Sequence, residues 1–356
     1  MSNKVQKWYM NRNSYDDVVA SSGIELARNL AEYDFRDKLG NEDAARLVEQ
    51  VRSLTRELGG HECAEYYSCN VNRLSESERA ALAGFSAISR ELADKKQATG
   101  LIISEDESVS VMINEDDHIR INVRYAGSSI REAFKTADRI DDYIDSELQY
   151  AYSDRYGYLT TNMSDVGTGM HASYVLSLPA LTMSGKLAAI RDEVGKLGTV
   201  IRDLYTDNGK NVGCLYRVSN QRTLGCTEQE IIDNLDQVVS QIVVLERKRR
   251  ISWVEDDHDD IEDKVFRSYG VLKFTKVITF ADAMTLLAQL KLGCDTGLIS
   301  LSGNGADLYR LMMEIQPAAI RKLSGCGADA VEINRARAAR INERLPELKH
   351  TAGESM

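Results

Sequence analysis

Three prolines in 356 residues, with no low-complexity run, exclude a disordered or linker-dominated chain. Cysteine is sparse as well. Cys63, Cys69, Cys214, Cys226, Cys294 and Cys326 are scattered without a CxxC pair, so neither a disulfide framework nor a structural zinc site has support. His61, Cys63 and Cys69 fit no zinc-ligand spacing, and most of the cysteines are expected as small core residues. No apolar stretch approaches the roughly 20 residues that span a bilayer, and the opening MSNKVQKWYM lacks the apolar core of a signal peptide. No membrane partner and a cytoplasmic location are therefore expected. Positive charge is short too: a net charge of -11 argues against nucleic acid as a partner. It suits a protein that meets basic, arginine-bearing surfaces, although solubility alone explains the same number.

A 43% apolar content over this length can bury a sizeable core, and the length suggests two domains. Ser75-Glu76-Ser77-Glu78, Ser129-Ile130-Arg131-Glu132 and Thr227-Glu228-Gln229-Glu230 each read as a capping box, in which hydroxyl and carboxylate satisfy orphan backbone amides reciprocally. After the second, Ile130, Ala133, Phe134, Ala137, Ile140, Ile144 and Leu148 recur at helical spacing; after the third, Ile231, Leu235, Val238, Ile242 and Leu245 do. Long helices against a sheet are expected, with strands at Val109 to Ile113, Ile119 to Val123, Ser173 to Leu178 and Val200 to Tyr205. The run Glu246 to Arg250 (ERKRR) reads as a basic helix end that complements the macrodipole, and Glu255 to Asp263 (EDDHDDIED) as the start of the next helix. The junction divides the chain at 254/255, and a solvated helix start accounts for Asp256, Asp257, His258, Asp259 and Asp260 without a metal.

Asn114 to Arg124 reads NEDDHIRINVR, an acidic turn entering a strand. Successive strand residues point to opposite sides, so Ile119, Ile121 and Val123 form a buried face while His118, Arg120, Asn122 and Arg124 load the other. In isolation the segment reads as an exposed edge strand with solvated charges. Three further segments point to the same chemistry: SSGIELARN at Ser21 to Asn29, YLTTNMSDVGTGMHASYVLSLPAL at Tyr158 to Leu181, and Leu204 to Gly225 with VSNQRTLG. In this order and at these separations they resemble the ATP:guanidino phosphotransferase (phosphagen kinase) family, most closely its bacterial protein-arginine kinases. The resemblance runs from about Trp8 to Leu345, including FRSYGVL at Phe266 to Leu272.

The resemblance implies an α+β fold, an antiparallel sheet flanked by helices as in guanidino kinases and glutamine synthetase, carrying ATP with Mg2+ over one face. A catalytic-type domain over 1–254 would be followed by a helical C-terminal dimerisation domain over 255–356. The small-molecule members carry a further helical domain at the front, for which this chain has no room, so a protein substrate is expected rather than creatine or arginine. The family holds the triphosphate with five arginines, planar cations forked to match phosphate. Aligned on its motifs, two of those positions are Gly23 and Glu25, Arg120 and Arg202 are retained, and the fourth is His171, with His118 in the same motif as Arg120. Losing one transition-state donor typically costs a hundred- to a thousandfold, so three changes imply a combined deficit on the order of 10⁴ or more. Arg28 is retained from the family motif.

On the acceptor side the family aligns the substrate guanidinium with two carboxylates. These correspond to Asp116 and Asp207, each one methylene shorter than the family's glutamate, a retreat of about 1.5 Å where misplacement by about 1 Å can cost a hundredfold. The family cysteine near the guanidinium is Asn162, its neighbouring proline is Met163, and its Gly-rich turn reads Tyr205, Thr206, Asp207, Asn208, Gly209. Val166 to Gly169 and Ser219 to Gln221 match the family. The C-terminal phosphoarginine motif R-D-x-x-R-A falls on Ile333 to Ala338, so its Arg-Asp half is gone while Arg337 remains; Arg335, Arg337, Arg340 and Arg344 are expected to form a basic helical side able to take an anion. The leading expectation is a catalytically impaired pseudokinase that serves as a binding or regulatory protein, a homodimer or the partner of an active kinase paralogue, in protein-arginine phosphorylation and Clp-linked protein quality control. The alternative is an active protein-arginine kinase with a rebuilt clamp using His171, Arg28 or nearby lysines; a small-guanidine kinase comes last.

Overall fold

The computed structural model describes residues 6–11, 16–62, 64–303, 305–327 and 329–349, and Cys63 lies outside them. In chain order, β1 (Val19–Arg28) leads to α1 (Asn41–Ser53), α2 (Thr55–Glu62), β2 (Tyr66–Asn70), α3 (Glu76–Gly84), α4 (Arg90–Asp94), β3 (Gly100–Ser104), β4 (Val109–Ile113) and β5 (Ile119–Ala126). Next come α5 (Ile130–Glu147), the short pair β6 (Tyr152–Ser153) and β7 (Gly157–Tyr158), β8 (Met170–Ser177), α6 (Pro179–Met183) and α7 (Leu187–Lys196). β9 (Thr199–Asp203), the hairpin β10 (Thr206–Asp207) and β11 (Lys210–Asn211), and β12 (Leu215–Asn220) complete the strands. The helices α8 (Glu228–Asp256), α9 (His258–Phe274), α10 (Phe280–Thr296), α11 (Gly305–Glu314), α12 (Pro317–Ser324) and α13 (Ala330–Arg344) follow.

Eight strands form one antiparallel sheet in the order β2-β3-β4-β5-β1-β8-β12-β9. β5 lies between β4 and β1, so its charges do not sit on an exposed edge. One face of the sheet is apolar over most of its area. Ile24, Leu26, Val111, Ile121, Val123, Ala172, Tyr174 and Val218 pack with Ala133, Ile140 and Ile144 of α5 and Ile231, Leu235, Val238 and Ile242 of α8. The opposite face is apolar only at its two ends. Leu101 and Met112 are covered there by Ile88 and Leu92, and Val175 and Leu215 by the C-terminal helices. The middle of that face carries Arg120, Asn122 and Arg124 of β5, Gly23 and Glu25 of β1, and His171 and Ser173 of β8, brought side by side by the register.

Ser75 and Thr227 form the expected capping boxes, whereas Ser129 caps nothing with its side chain. Its backbone N–H instead donates to Ser22 Oγ at 2.8 Å, tying the start of α5 to β1. Leu245, expected on the buried stripe of α8, is exposed. The ERKRR run is not a helix end, because α8 continues to Asp256. Glu246 and Arg250 are buried within it. Glu246 accepts the backbone N–H groups of Ala180 and Leu181 at 3.0 and 2.9 Å at the start of α6, and takes Arg250 Nε at 2.8 Å. Arg250 also reaches Asp17 at 3.1 Å and Asp295 of α10 at 3.5 Å. A run that reads as a solvated helix end is thus a buried bridge from α8 to α6, α10 and the entry to β1. Of the five described cysteines, all partly exposed, Cys69, Cys214, Cys226 and Cys294 pack against the hydrophobic clusters as small core-edge residues. Among the described residues no helix is long and apolar enough to cross a membrane.

Arg28 faces the apolar side and is locked there. It donates to Asp141 with Nη2 at 2.6 Å and to the carbonyls of Ala27 and Thr168 at 2.9 and 3.0 Å, and its guanidinium stacks 3.5 Å from the centre of the Tyr158 ring. Tyr150 also donates to Asp141, at 3.0 Å. Breaking a buried pair by removing one partner leaves the other charge uncompensated. Asp141→Ala is expected to lower stability by about 3–5 kcal/mol, read as a drop in urea midpoint at unchanged slope.

Candidate functional site

The polar middle of the sheet is organised around Arg120. Its guanidinium contacts Glu25 at 2.6 Å, Glu115 at 2.9 Å, Asp165 at 3.3 Å and Asp117 at 3.4 Å. The Glu115 contact is close, yet Arg120 Nε has no well-aligned hydrogen bond, so it is an ion pair rather than a directional bond. Burial disfavours the charged arginine, but these carboxylates outweigh it and hold Arg120 firmly protonated. His171 Nε2 lies 3.0 Å from Asp165 Oδ1, and His171 is the direct cross-strand neighbour of Glu25. Burial lowers the His171 pKa; the hydrogen bond and charge of Asp165, with the charge of Glu25, reverse this and raise it above the ordinary value. Glu25 is held low despite burial, by Arg120, His171, Arg124 and Arg217, whereas burial raises Glu115. Four carboxylates therefore meet one arginine and one protonatable histidine, and the cluster is negative overall.

His118, a candidate from its neighbourhood to Arg120, is fully used by the backbone. Nδ1 accepts the Leu30 N–H at 3.0 Å, so Nε2 carries the proton and donates to the Asp34 carbonyl at 3.0 Å. Burial lowers its pKa, consistent with this neutral tautomer. It holds the β1 exit against the acidic turn, and does not face the cluster as the alternation argument expected.

On the acceptor side, Asp116 is joined to Arg36, a residue of the connection after β1, and Asn162 Nδ2 lies 3.4 Å from it. Thr161 Oγ1 donates to the Asp116 carbonyl at 2.8 Å. Asp116 and Asn162 are thus brought together, with a guanidinium already on the carboxylate. Asp207 is elsewhere. It is exposed on the β10–β11 hairpin, its one described side-chain hydrogen bond comes from Asn208 at 3.2 Å, and no described contact joins it to Asp116. Asn208 and Gly209 both have positive φ, 48° and 74°, as the two central residues of a tight hairpin turn require. The Asn-Gly pair in this segment is the sequence signal for the hairpin. Gly167, in the matching VGTG text, has φ 118° and a position where a Cβ would lie 2.3 Å from the Thr223 carbonyl, so only glycine fits.

Gly23 is buried in β1 opposite Arg124 of β5. A Cβ at Gly23 would lie 2.8 Å from the Val123 carbonyl and 3.1 Å from Arg124 Cγ, so the missing side chain makes room for Arg124. Arg202 is exposed on the edge strand β9, paired in register with Arg217 of β12. Of the retained clamp positions, then, Arg120 is inside the acidic cluster and Arg202 is at the rim. Sequence reasoning missed Glu115, Asp117 and Asp165 as partners of Arg120, Arg36 as the partner of Asp116, and Arg217. Strand alternation back from Ser219 is the signal that places Arg217 on this face.

In the C-terminal helices the expected basic side does not form. Arg337 is buried, donating to the carbonyls of Ile315 and Ile278 at 3.1 and 3.0 Å and to Asn334 Oδ1 at 2.5 Å; burial brings its pKa down to about 10. Arg340 is neutralised by Glu314 at 2.8 Å, and Arg344 lies 3.5 Å from Glu343. Arg337 pins α13 to the ends of its neighbours.

Comparison with known proteins places this geometry. Residues 46–249 match the family described as ATP:guanido phosphotransferase, C-terminal catalytic domain, and residues 258–355 match the Protein-arginine kinase McsB C-terminal domain. The chain is 36% identical over 351 residues to a protein-arginine kinase of Desulforamulus reducens, covering 98% of each chain, and 34% identical over 342 residues to that of Bacillus subtilis, covering 96% of this chain and 93% of the relative. Among solved structures, the duplicated taurocyamine kinase of Schistosoma mansoni superposes with a TM-score of 0.56 at 24% identity over 69% of this chain and 37% of its own length. A lombricine kinase gives 0.56 at 19% identity over 69% of this chain and 72% of its own. The fold is that of the guanidino kinases, and the chain belongs to the ATP:guanido phosphotransferase family, among its protein-arginine kinases.

Proposed function

We propose that this chain is a protein-arginine kinase relative in which phosphoryl transfer is lost or severely weakened. On this reading it acts as a binding or regulatory protein in protein-arginine phosphorylation and Clp-linked quality control, with an arginine-bearing protein or an active paralogue as partner and its C-terminal helices as the dimerisation surface. The observation that carries it is the state of Arg120, the clamp arginine at the centre of the face. Its charge is consumed by Glu25, Glu115, Asp117 and Asp165. The residues present do not fit Mg-ATP held as the family holds it. A triphosphate entering this cluster meets net negative charge, with Glu25 and His171 where two arginines would stand and Gly23 without a side chain. The cavity over Gly23, roofed by Tyr205, Tyr309 and Met313, measures about 30 Å³, whereas small-molecule pockets run to several hundred. On the acceptor side, Arg36 occupies Asp116 and Asp207 stands apart. A protein that holds its own arginine there has the chemistry to recognise arginine without modifying it.

A second reading, an active kinase with a rebuilt clamp, draws support from Arg124 lying over Gly23 and from Arg217 beside it. It draws none from Arg28, which is fully engaged with Asp141, nor from His171, which is held by Asp165. Thermal unfolding with Mg-ATP separates the two. Nucleotide at a hundred times its dissociation constant would add about 2.7 kcal/mol; no shift at millimolar nucleotide, and no acid-labile phosphate on an arginine-rich acceptor protein, are expected. A clear shift with transfer would establish the second reading instead.

The acidic cluster also fixes a pH response. The folded His171 pKa lies above its unfolded value near 6.5, so its stabilising contribution is fully present below about 6.5 and is lost as pH rises through the folded pKa. Glu25 and Asp165, both held low, lose theirs only at acid pH, outside that window. Urea unfolding from mildly acidic to mildly basic pH is expected to show stability falling in wild type and a flatter profile in His171→Gln. Parallel profiles would refute the assignment.

A further inference from the structure

The polar face holds a second cationic group that the clamp does not include. Arg124 of β5 and Arg217 of β12 lie on a diagonal across β1 and β8: Arg124 shares its row with bare Gly23 and small Ser173, and Arg217 is two residues along, in the row of Val175 and Ser21. The two long side chains line one trough over that floor, with Ser21, Ser22, Ser86 and Trp8 at its walls and Tyr205, Tyr309 of α11 and Met313 of α11 above.

This trough is rich in donors and poor in acceptors. Arg124 Nη1 donates to the Ser86 carbonyl at 2.5 Å, and no other described residue bonds its guanidinium. Arg217 has no described hydrogen bond or close ion pair, Tyr205 Oη donates only to the Met313 sulfur at 3.3 Å, a weak acceptor, and Ser173 Oγ has no described bond. The nearest carboxylate, Glu25, is engaged with Arg120. Burial, and after it the Arg217 charge, bring the Arg124 pKa down to about 10. Two like charges facing one buried trough are unfavourable in each other's field, and the carboxylate that acts on both, Glu25, is already paired with Arg120.

We propose that this trough is a binding site for a small phosphate-class oxyanion, held between the Arg124 and Arg217 guanidinium groups with the Tyr205 and Ser173 hydroxyls as further donors. Tetrahedral oxyanions match the forked geometry of two guanidiniums. The cavity, about 30 Å³, takes a group of one or two water diameters and excludes a nucleotide. Because Tyr309 and Met313 belong to α11, an anion here would fasten the C-terminal helices to the sheet. The inference rests on the proposed reading, since the floor of the trough is the expected clamp position Gly23; neither arginine is itself an expected clamp position, and inorganic phosphate alone, without nucleotide, is what the site is tested for.

Inorganic phosphate, titrated at constant ionic strength, tests this in the full chain. A saturable rise of about 3–5 °C in Tm at a hundredfold excess over Kd is expected for wild type. Phosphate also stabilises proteins generally by exclusion from their surfaces, so the readout is the difference from Arg217→Gln. That variant is expected to lose the saturable rise while being at least as stable as wild type without phosphate, one of two like charges having been removed. Phosphorus NMR supplies a measurement that does not depend on the variant folding: the phosphate resonance should broaden with wild type at millimolar concentrations. Equal shifts in the two proteins, an Arg217→Gln protein weaker than wild type without phosphate, or an unbroadened resonance with wild type would each overturn the proposal.

Discussion

A sheet covered on both faces makes an unanswered charge on its strands costly, and that constraint organises this molecule. The apolar face resolves its one arginine, Arg28, with Asp141, backbone carbonyls and two tyrosine rings. The polar face resolves Arg120 with four carboxylates. Glu25 reads in the sequence as a reversed charge facing phosphate. In the structure it is a counter-ion, 2.6 Å from Arg120, supplying internally the negative charge that a phosphate would bring. On the proposed reading the substitution at 25 is thereby self-consistent: an arginine left without its anionic ligand would be an uncompensated charge, and breaking such a pair costs about 3–5 kcal/mol, a large share of a total stability of about 5–15 kcal/mol.

The same reasoning links positions 23 and 171. Gly23 and Arg124 are cross-strand neighbours, as are Glu25 and His171. In each pair the two residues complement each other, one by yielding space and the other by exchanging charge with Asp165 and Glu25. Restoring an arginine at 23 alone would drive its Cβ into the Val123 carbonyl and the Arg124 stem. Clamp positions in this chain are coupled through their neighbours, so their effects cannot be read one at a time.

How much of this was legible in the sequence follows from the range of the interactions. Period-two alternation assigned Ile121 and Val123 to the core and Arg120 and Arg124 to the other face, and two capping boxes fixed the starts of α3 and α8, because these signals are local. The family text carried the fold. What local signals missed were partners far apart in the chain: Asp165 and Glu25 on Arg120, Arg36 on Asp116, and Asp17 and Asp295 on Arg250. Ser129 shows the limit most simply. Its motif is intact, but Ser22 reaches its backbone N–H first from another strand, and tertiary structure overrides the local pattern. His118 fails for the same reason, since Leu30 and Asp34 claim both ring nitrogens.

The two halves of the polar face then differ in kind. Around Arg120 anionic groups outnumber cationic ones, so the cluster is internally closed and resists an incoming anion. Around Arg124 and Arg217 the imbalance is reversed, and the only described hydrogen bond from either guanidinium goes to the Ser86 carbonyl. Glu25 lies between them and feels both, its charge stabilised by Arg120 first and by Arg124 and Arg217 at longer range. On the proposed reading, a field of opposite signs across one sheet face draws an anion away from Arg120 and toward the junction with α11. Position on that face, more than the number of arginines it carries, therefore decides what the site can hold.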